Sequence, residues 1–460
     1  MSLEEKAWRA DAPAPRPARP WAFPEISSRT LPSGLRVICA SHGSAPIDVV
    51  RIVVRSGSDH DPAGSEGLAG LTASLLDEGA GGRGGADLDH KLGLLGASVG
   101  SGADWDSSQV YLDVLTEHLP ASMQILRDIV LRPDFAPEDL DRVRREKITA
   151  IHQGTDEPAT VAGRFFSRFV YGPSRYGTPS IGTEESLGAL TRGDIVAFHR
   201  DHYIPSNVSL VAVGASPAGR LIEEVSRAFG DWTTETRVGA QSAPAEAPSS
   251  GFVHIIDRPG SVQSEIRIGH AGVSRRTEDY FPLLVMNGIL GDAFNSRIML
   301  NLRERHGWTY GARSSFLFRR HAGPFVVSTA VRNDATAPAV REILREIELI
   351  RNAQVSAEEL DHARNYIAGS FPSTVETADG LAMQLQEIEL HELPPDHLKH
   401  YREGIMGVSR DDVERVARKY LDPEGSVIVI VGAGSELAEA AKQLGRPVRN
   451  YQLDGTPIED

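Results

Sequence analysis

Histidine is the residue type in this chain most able to bind a metal or move a proton, and there are fifteen of them. His199 and His202 stand three apart in AFHRDHY, and His397 and His400 three apart in PPDHLKHY. A zinc site needs three or four convergent ligands, and two histidines do not make one. Both pairs read as helix ends, where the dipole favours a basic side chain. The one cysteine, Cys39 in LRVICA, excludes an intrachain disulfide and a thiolate zinc site and reads as a small core residue. The run Gly79 to Gly85 lacks the G-K-[ST] that a phosphate loop needs and reads as a surface loop. Arg303 and Tyr310 lie seven apart in NSRIMLNLRERHGWTYGARSS. Ile298, Leu300 and Leu302 predict a helix ended by Gly307, with Arg303 near its last turn and Tyr310 opening the next strand. A guanidinium and a phenol so placed can both donate hydrogen bonds to a peptide carbonyl and its developing oxyanion. An arginine at a helix end and a tyrosine in a strand also occur without function. Spacing alone favours that plainer reading.

These side chains must be positioned by a long chain. Its 460 residues exceed what one core serves, so two or more domains are expected. The formal charge of −15 argues against nucleic acid and anionic membranes as partners. No apolar run reaches the 18 or so residues of a membrane span. Residues 1–24, with an Ala/Pro-rich segment from Ala12 to Pro20, read as a disordered leader. They contain no apolar signal-peptide region. The compartment is expected to be periplasmic if a signal peptide has been replaced by Met1-Ser2-Leu3, and cytoplasmic otherwise.

The chain repeats itself. Leu140-Asp141 falls on Leu360-Asp361, an offset of 220 residues, and TRGDIVAFHRDHYIPSNVSLVAVGA falls on SRDDVERVARKYLDPEGSVIVIVGA at an offset of 218. Each half alternates pairs of strands with pairs of helices. The fold class is therefore α+β, with two tandem homologous domains, each packing helices on a mostly antiparallel sheet. The boundaries are a first domain over 25–232, an Ala/Pro/Ser-rich linker over 233–252 and a second domain over 253–460.

The stretch GLAGLTASLLDEG, Gly67 to Gly79, predicts a helix with Leu68, Leu71, Leu75 and Leu76 on one buried stripe. With its flanks RIVVRSGSDHDPAGSEG and LLDEG it resembles the start of the pitrilysin/insulinase-like zinc peptidases, the inverzincins. The resemblance extends over about residues 25 to 455. In that family this helix carries H-x-x-E-H, two zinc-binding histidines around a glutamate that activates water. Here the matching positions are Gly70, Ala73 and Ser74, which offer neither ligand nor base. The third family ligand is a glutamate, matched by Glu146 in VRREKITAIHQG, a remnant that alone holds no metal. Neither histidine pair has a carboxylate arranged as a base in the family's position.

The resemblance further implies that the halves close around a substrate chamber and that Arg303 and Tyr310 bind substrate. Some bacterial members are heterodimers, with H-x-x-E-H on one subunit and the arginine–tyrosine pair on the other. This chain matches the second type. The implied function is a non-catalytic, substrate-binding subunit of a zinc metalloendopeptidase, inactive alone, holding no metal or cofactor itself. Its partner would be a homologous subunit that carries H-x-x-E-H and zinc, and its substrate a peptide. Where the non-catalytic subunit of mitochondrial processing peptidase has a long glycine-rich loop before the arginine helix, this chain has the short GDAFNSR. Presequence recognition of that kind is therefore not expected. Two other readings stand beside this one: a scaffold protein of the same fold, and an active zinc peptidase with relocated ligands.

Overall fold

A computed structural model describes residues 23–234 and 251–458. Most of the expected leader and linker lies outside the described residues. The first half runs β1 (Ile26–Thr30), β2 (Arg36–Ser41), β3 (Ile47–Val54), α1 (Leu68–Ser74), a small hairpin of β4 (Gly79–Ala80) and β5 (Arg83–Gly84), α2 (Gly85–Leu94), β6 (Ser98–Ala103) and β7 (Ser108–Leu115). It continues with α3 (Leu119–Leu131), α4 (Pro137–Asp156), α5 (Pro158–Tyr171), α6 (Glu184–Ala189), α7 (Arg192–His202), β8 (Val208–Gly214) and α8 (Ala218–Phe229). The second half runs β9 (Val253–Asp257), β10 (Gln263–Ala271), α9 (Tyr280–Asn287), α10 (Arg297–Met299), β11 (Ala312–Phe316), β12 (Pro324–Arg332), α11 (Thr336–Asn352) and α12 (Ala357–Thr374). Then come α13 (Ala378–Leu390), α14 (Tyr401–Met406), α15 (Arg410–Tyr420), β13 (Val427–Gly432), α16 (Gly434–Lys442), β14 (Val448–Tyr451) and β15 (Pro457–Ile458).

Each half builds one sheet. The first has the order β1-β2-β8-β3-β7-β6, the second β11-β12-β10-β13-β9-β14-β15. Their shared five strands, β2-β8-β3-β7-β6 and β9-β13-β10-β12-β11, match in order and in sense. β8 runs parallel to β2 and β13 to β9, and the remaining shared neighbours are antiparallel. The repeat extends to helix starts. Thr191 and Asp194 form a capping box on α7, and Ser409 and Asp412 form the same box on α15.

Alternation along the strands sends side chains to two faces. On β2, Val37 and Cys39 join the first half's own helices, and burial pushes the Cys39 thiol up to about 12. Ile38 and Ala40 face the other way. That second face is covered not by the first half but by α13 of the second, through Leu381, Ala382, Leu385 and Ile388. The arrangement is reciprocal. α5 of the first half lays Val161, Phe165 and Phe166 on Val427, Val429 and Val431 of the second sheet. Each sheet is thus buried on both faces, which accounts for the continuous apolar runs VSLVAVG and VIVIVG.

The helix predicted over Gly67 to Gly79 is shorter than expected. α1 ends at Ser74, its last turn tightened by the Leu75 and Leu76 amides donating to the Thr72 and Ala73 carbonyls, and the Ser101 hydroxyl donates to the Ala73 carbonyl as well, at 2.7 Å. Leu68, Leu71, Leu75 and Leu76 are all buried as the periodicity requires. Gly67 caps the helix at φ 91°, a conformation glycine adopts freely. Nearby, the Asp61 carboxylate accepts from the amides of Gly67 and Ala69, each at 2.8 Å.

Candidate functional site

The segment that carries Arg303 is held from behind. Ile298 and Leu302 are fully buried. Arg297 forks onto the Glu359 carboxylate at 2.7 and 3.1 Å, and the Asn301 amide donates to Glu342 at 2.8 Å and Glu346 at 2.6 Å. With that face fixed, α10 widens into a π turn over Leu300–Arg305, and Arg303 is left on the outer side. Its guanidinium lies 4.9 Å from the centroid of the Phe294 ring, a cation–π contact, and 3.4 Å from the Glu304 carboxylate. Phe294 is itself 68 % exposed. Gly307, at φ 62°, ends the turn.

Tyr310 does not open a strand. β11 begins at Ala312, and the Thr309 hydroxyl bonds the amide and carbonyl of Gly311, folding residues 309–311 into a tight turn. Tyr310 projects from that turn and is 93 % exposed. Tyr310 therefore faces solvent while Arg303 is half-buried, both on the stretch between α10 and β11. Among the described residues no hydrogen bond joins them.

In the first half, Gly70 and Ala73 are buried and Ser74 is half-buried on α1. Opposite them runs α4. Glu146 turns away to solvent, where Arg142 donates to its carboxylate at 3.0 Å. The side chain that reaches α1 is Lys147: its Nζ lies 3.9 Å from where a Gly70 β-carbon would stand, and the Ser180 carbonyl lies 3.6 Å from the same point. Burial lowers the Lys147 pKa, and among the described residues no carboxylate pairs with it. A glycine, an alanine, a serine and an ammonium do not fit a zinc ion, which asks for imidazole, thiolate or carboxylate donors.

The histidine pairs are occupied elsewhere. His199 bonds the Val130 carbonyl at 2.8 Å and His202 bonds the Ser56 hydroxyl at 2.9 Å. Burial, with His60 beside it, holds His202 down to about 4. His397 contacts Arg275 at 2.9 Å, and His400 sits between Asp396 and Glu403. His397 and His400 precede α14, with His400 at its N-cap, so they do not lie at a helix C-terminus as expected. Among the described residues no cluster of three or more histidine, cysteine or carboxylate side chains could hold a metal.

Two features escaped the sequence reading. Phe294 gave no periodic signal. Lys147 did: at the offset of 220 it falls on Ile367, a polar residue where the repeat has an apolar one.

Residues 36–183 match the model of the insulinase family, peptidase family M16, and residues 189–367 match the model of the peptidase M16 inactive domain. The chain belongs to the M16 peptidase family. The insulinase match spans α1 and α4, with Gly70, Ala73, Ser74 and Glu146, and the inactive-domain match spans Arg303 and Tyr310. An uncharacterized zinc protease of Streptomyces coelicolor is 24 % identical over 88 % of this M16 chain and 89 % of its own length. A probable mitochondrial-processing peptidase subunit beta of Arabidopsis thaliana is 22 % identical over 91 % of this chain and 80 % of its own. Among solved structures, a peptidase M16 inactive domain from Pseudomonas fluorescens superposes with a TM-score of 0.84 at 24 % identity, covering 89 % of this chain and 98 % of that one. A protease from Helicobacter pylori gives 0.83 at 18 %, covering 89 % of this chain and 100 % of that one. No helix among the described residues is long and apolar enough to cross a membrane.

Proposed function

We propose that this M16 chain is the non-catalytic, substrate-binding subunit of a heterodimeric zinc metallopeptidase acting on peptides. The observation that carries the reading is a division within one chain. The α1 residues Gly70, Ala73 and Ser74 offer none of the donors a zinc ion needs, while Arg303 and Tyr310 both stand on the stretch that leads from α10 to β11. A phenol 93 % exposed contributes little to this chain's own core. Its hydroxyl can donate to a peptide carbonyl, and the Arg303 guanidinium keeps donors beyond the one that faces Glu304. The zinc and the base belong to a homologous partner with H-x-x-E-H, in keeping with relatives named as zinc proteases.

The test is reconstitution. The chain and an H-x-x-E-H homologue are purified separately, then mixed, and peptide cleavage is measured. Activity is expected only in the mixture. Arg303→Ala should lower turnover by about a hundred- to a thousand-fold, the usual loss on removing one oxyanion donor. Tyr310→Phe should cost less, because the arginine also contributes charge. Melting and pairing should be unchanged in both. Full activity in two normally paired variants would favour a scaffold role instead.

A further inference from the structure

Phe294 stands where the local backbone gives no reason for an aromatic ring. The Ser296 amide donates to the Ala293 carbonyl at 3.0 Å, closing a turn with Phe294 and Asn295 at its two central positions. Such turns favour glycine, proline, asparagine, aspartate and serine, and Asp292, Asn295 and Ser296 fit that pattern. The turn is tied down around the ring. Ala293 and Ser296 are buried at its two ends, and Asn295 contacts the His362 ring at 2.6 Å. Phe294 itself is largely exposed and adds little to the core.

Isolated exposed apolar side chains are ordinary. Phe294 differs in what it touches. The Arg303 Cζ lies over its ring, 4.9 Å from the centroid. The charged neighbour of Arg303 is Glu304, whose carboxylate lies 3.4 Å from Nε. The two partners hold a guanidinium in different ways. A carboxylate takes N–H donors at the edge of the ion and offsets its charge. An aromatic ring takes the flat face and leaves the edge donors and the charge for another acceptor. Glu304 is exposed, so its ion pair is weak. Among the described residues the Nη groups of Arg303 make no hydrogen bond.

We propose that Phe294 is a positioning residue for Arg303 and, given the substrate-binding role proposed for that arginine, serves the same reaction. The ring holds the guanidinium by its face, against the pull of Glu304, and keeps the Nη donors available for the carbonyl oxygen. A long side chain held in advance loses less rotamer freedom when it binds. The gain is largest where charge develops on that oxygen, so it falls on kcat more than on KM.

The experiment mixes the full chain with an H-x-x-E-H homologue and follows cleavage of a peptide. Phe294→Leu keeps apolar bulk and removes the ring. It should lower kcat by about three- to thirty-fold, the range of a cation–π contact, with a smaller change in KM. Phe294→Tyr keeps the ring and should retain turnover. Beside Arg303→Ala, Phe294→Leu should cost nothing further, because it acts through the arginine. Melting should be unchanged throughout. In the chain without partner, the Arg303 Nε–Hε NMR resonance, assigned by its loss in Arg303→Ala, should move in Phe294→Leu and hold in Phe294→Tyr. A mixture inactive with the unsubstituted chain would sink the heterodimer reading and any part of Phe294 in the reaction. An active mixture in which Phe294→Leu keeps full turnover, or costs as much beside Arg303→Ala as alone, would overturn the proposal and leave that reading intact. An unmoved resonance in Phe294→Leu would overturn it as well.

Discussion

At residue 147 the chain presents an ammonium to α1, the helix that the resemblance matches to a zinc-binding one. A β-carbon at residue 70 would stand at ordinary contact distance from Lys147 and Ser180. A histidine there is therefore not excluded sterically at its first atom, but its ring would enter the space beside a positive charge. Restoring the motif alone, as Gly70→His, Ala73→Glu and Ser74→His together, should leave zinc well below one equivalent by elemental analysis. Adding Lys147→Glu should raise it towards one. Stoichiometric zinc in the threefold variant would show that Lys147 moves aside. A few residues away, burial pushes the Asp61 carboxyl up to about 7, against the pull of its two amide donors. The folded chain thus holds a proton that the unfolded chain, with an ordinary carboxyl pKa of about 4, releases. The contribution of this group to stability is full below about pH 4 and is lost as pH rises to about 7. Asp61→Asn should therefore gain in melting temperature relative to the unsubstituted chain across that interval. A difference flat with pH would mean that the amide bonds keep Asp61 ionised.

At the scale of elements, the decisive feature is the reciprocal placement of α5 and α13. α13 brings Leu381, Leu385 and Ile388 against Ile38, Val49, Val211 and Val213, more than 150 residues away in the chain. Leu385 is 3 % exposed. Leu385→Ala removes buried methyl groups and leaves a cavity, which costs about 2–5 kcal/mol. The loss should appear in the sheet of the first half although the substitution lies in the second. Hydrogen exchange of the β2, β3 and β8 amides reads it directly. Faster exchange confined to the second half would mean that the α13 contact contributes little. The segment carrying Arg303 behaves differently, because Arg297–Glu359 and the Asn301 bonds anchor it within its own half. Substitutions at Arg303 and Tyr310 can therefore change surface chemistry without loosening the fold.

For the whole molecule, the exchange of helices means that two halves alike in topology are not two independent folding units. Residues 23–234 alone would expose the face formed by Ile38, Ala40, Val49, Val211 and Val213, and residues 251–458 alone would expose Val427, Val429 and Val431. Open apolar sheet faces of this kind drive association. Each fragment expressed by itself should be insoluble or molten. The two co-expressed should form a soluble complex whose melting is one cooperative transition. A monomeric, cooperatively melting fragment 23–234 would contradict this and would leave α13 a peripheral cover.

The sequence by itself determined what depends on local periodicity and on repetition. The buried stripe Leu68, Leu71, Leu75 and Leu76 was legible because the helix period is short-range. The offset of 220 between Leu140 and Leu360 carried the duplication. Tertiary structure decided the rest. Neighbouring helix residues point about 100° apart, so only packing reveals that Lys147 faces α1 while Glu146 faces water. α1 stops at Ser74, where the Leu76 amide turns back to the Ala73 carbonyl at 3.1 Å and Ser101, from a strand beyond the next helix, donates to the same oxygen. Tyr310 falls outside the strand because Thr309 closes a turn on Gly311. The exchange of α5 and α13 left no local trace, since an amphipathic helix carries the same pattern whichever sheet it covers.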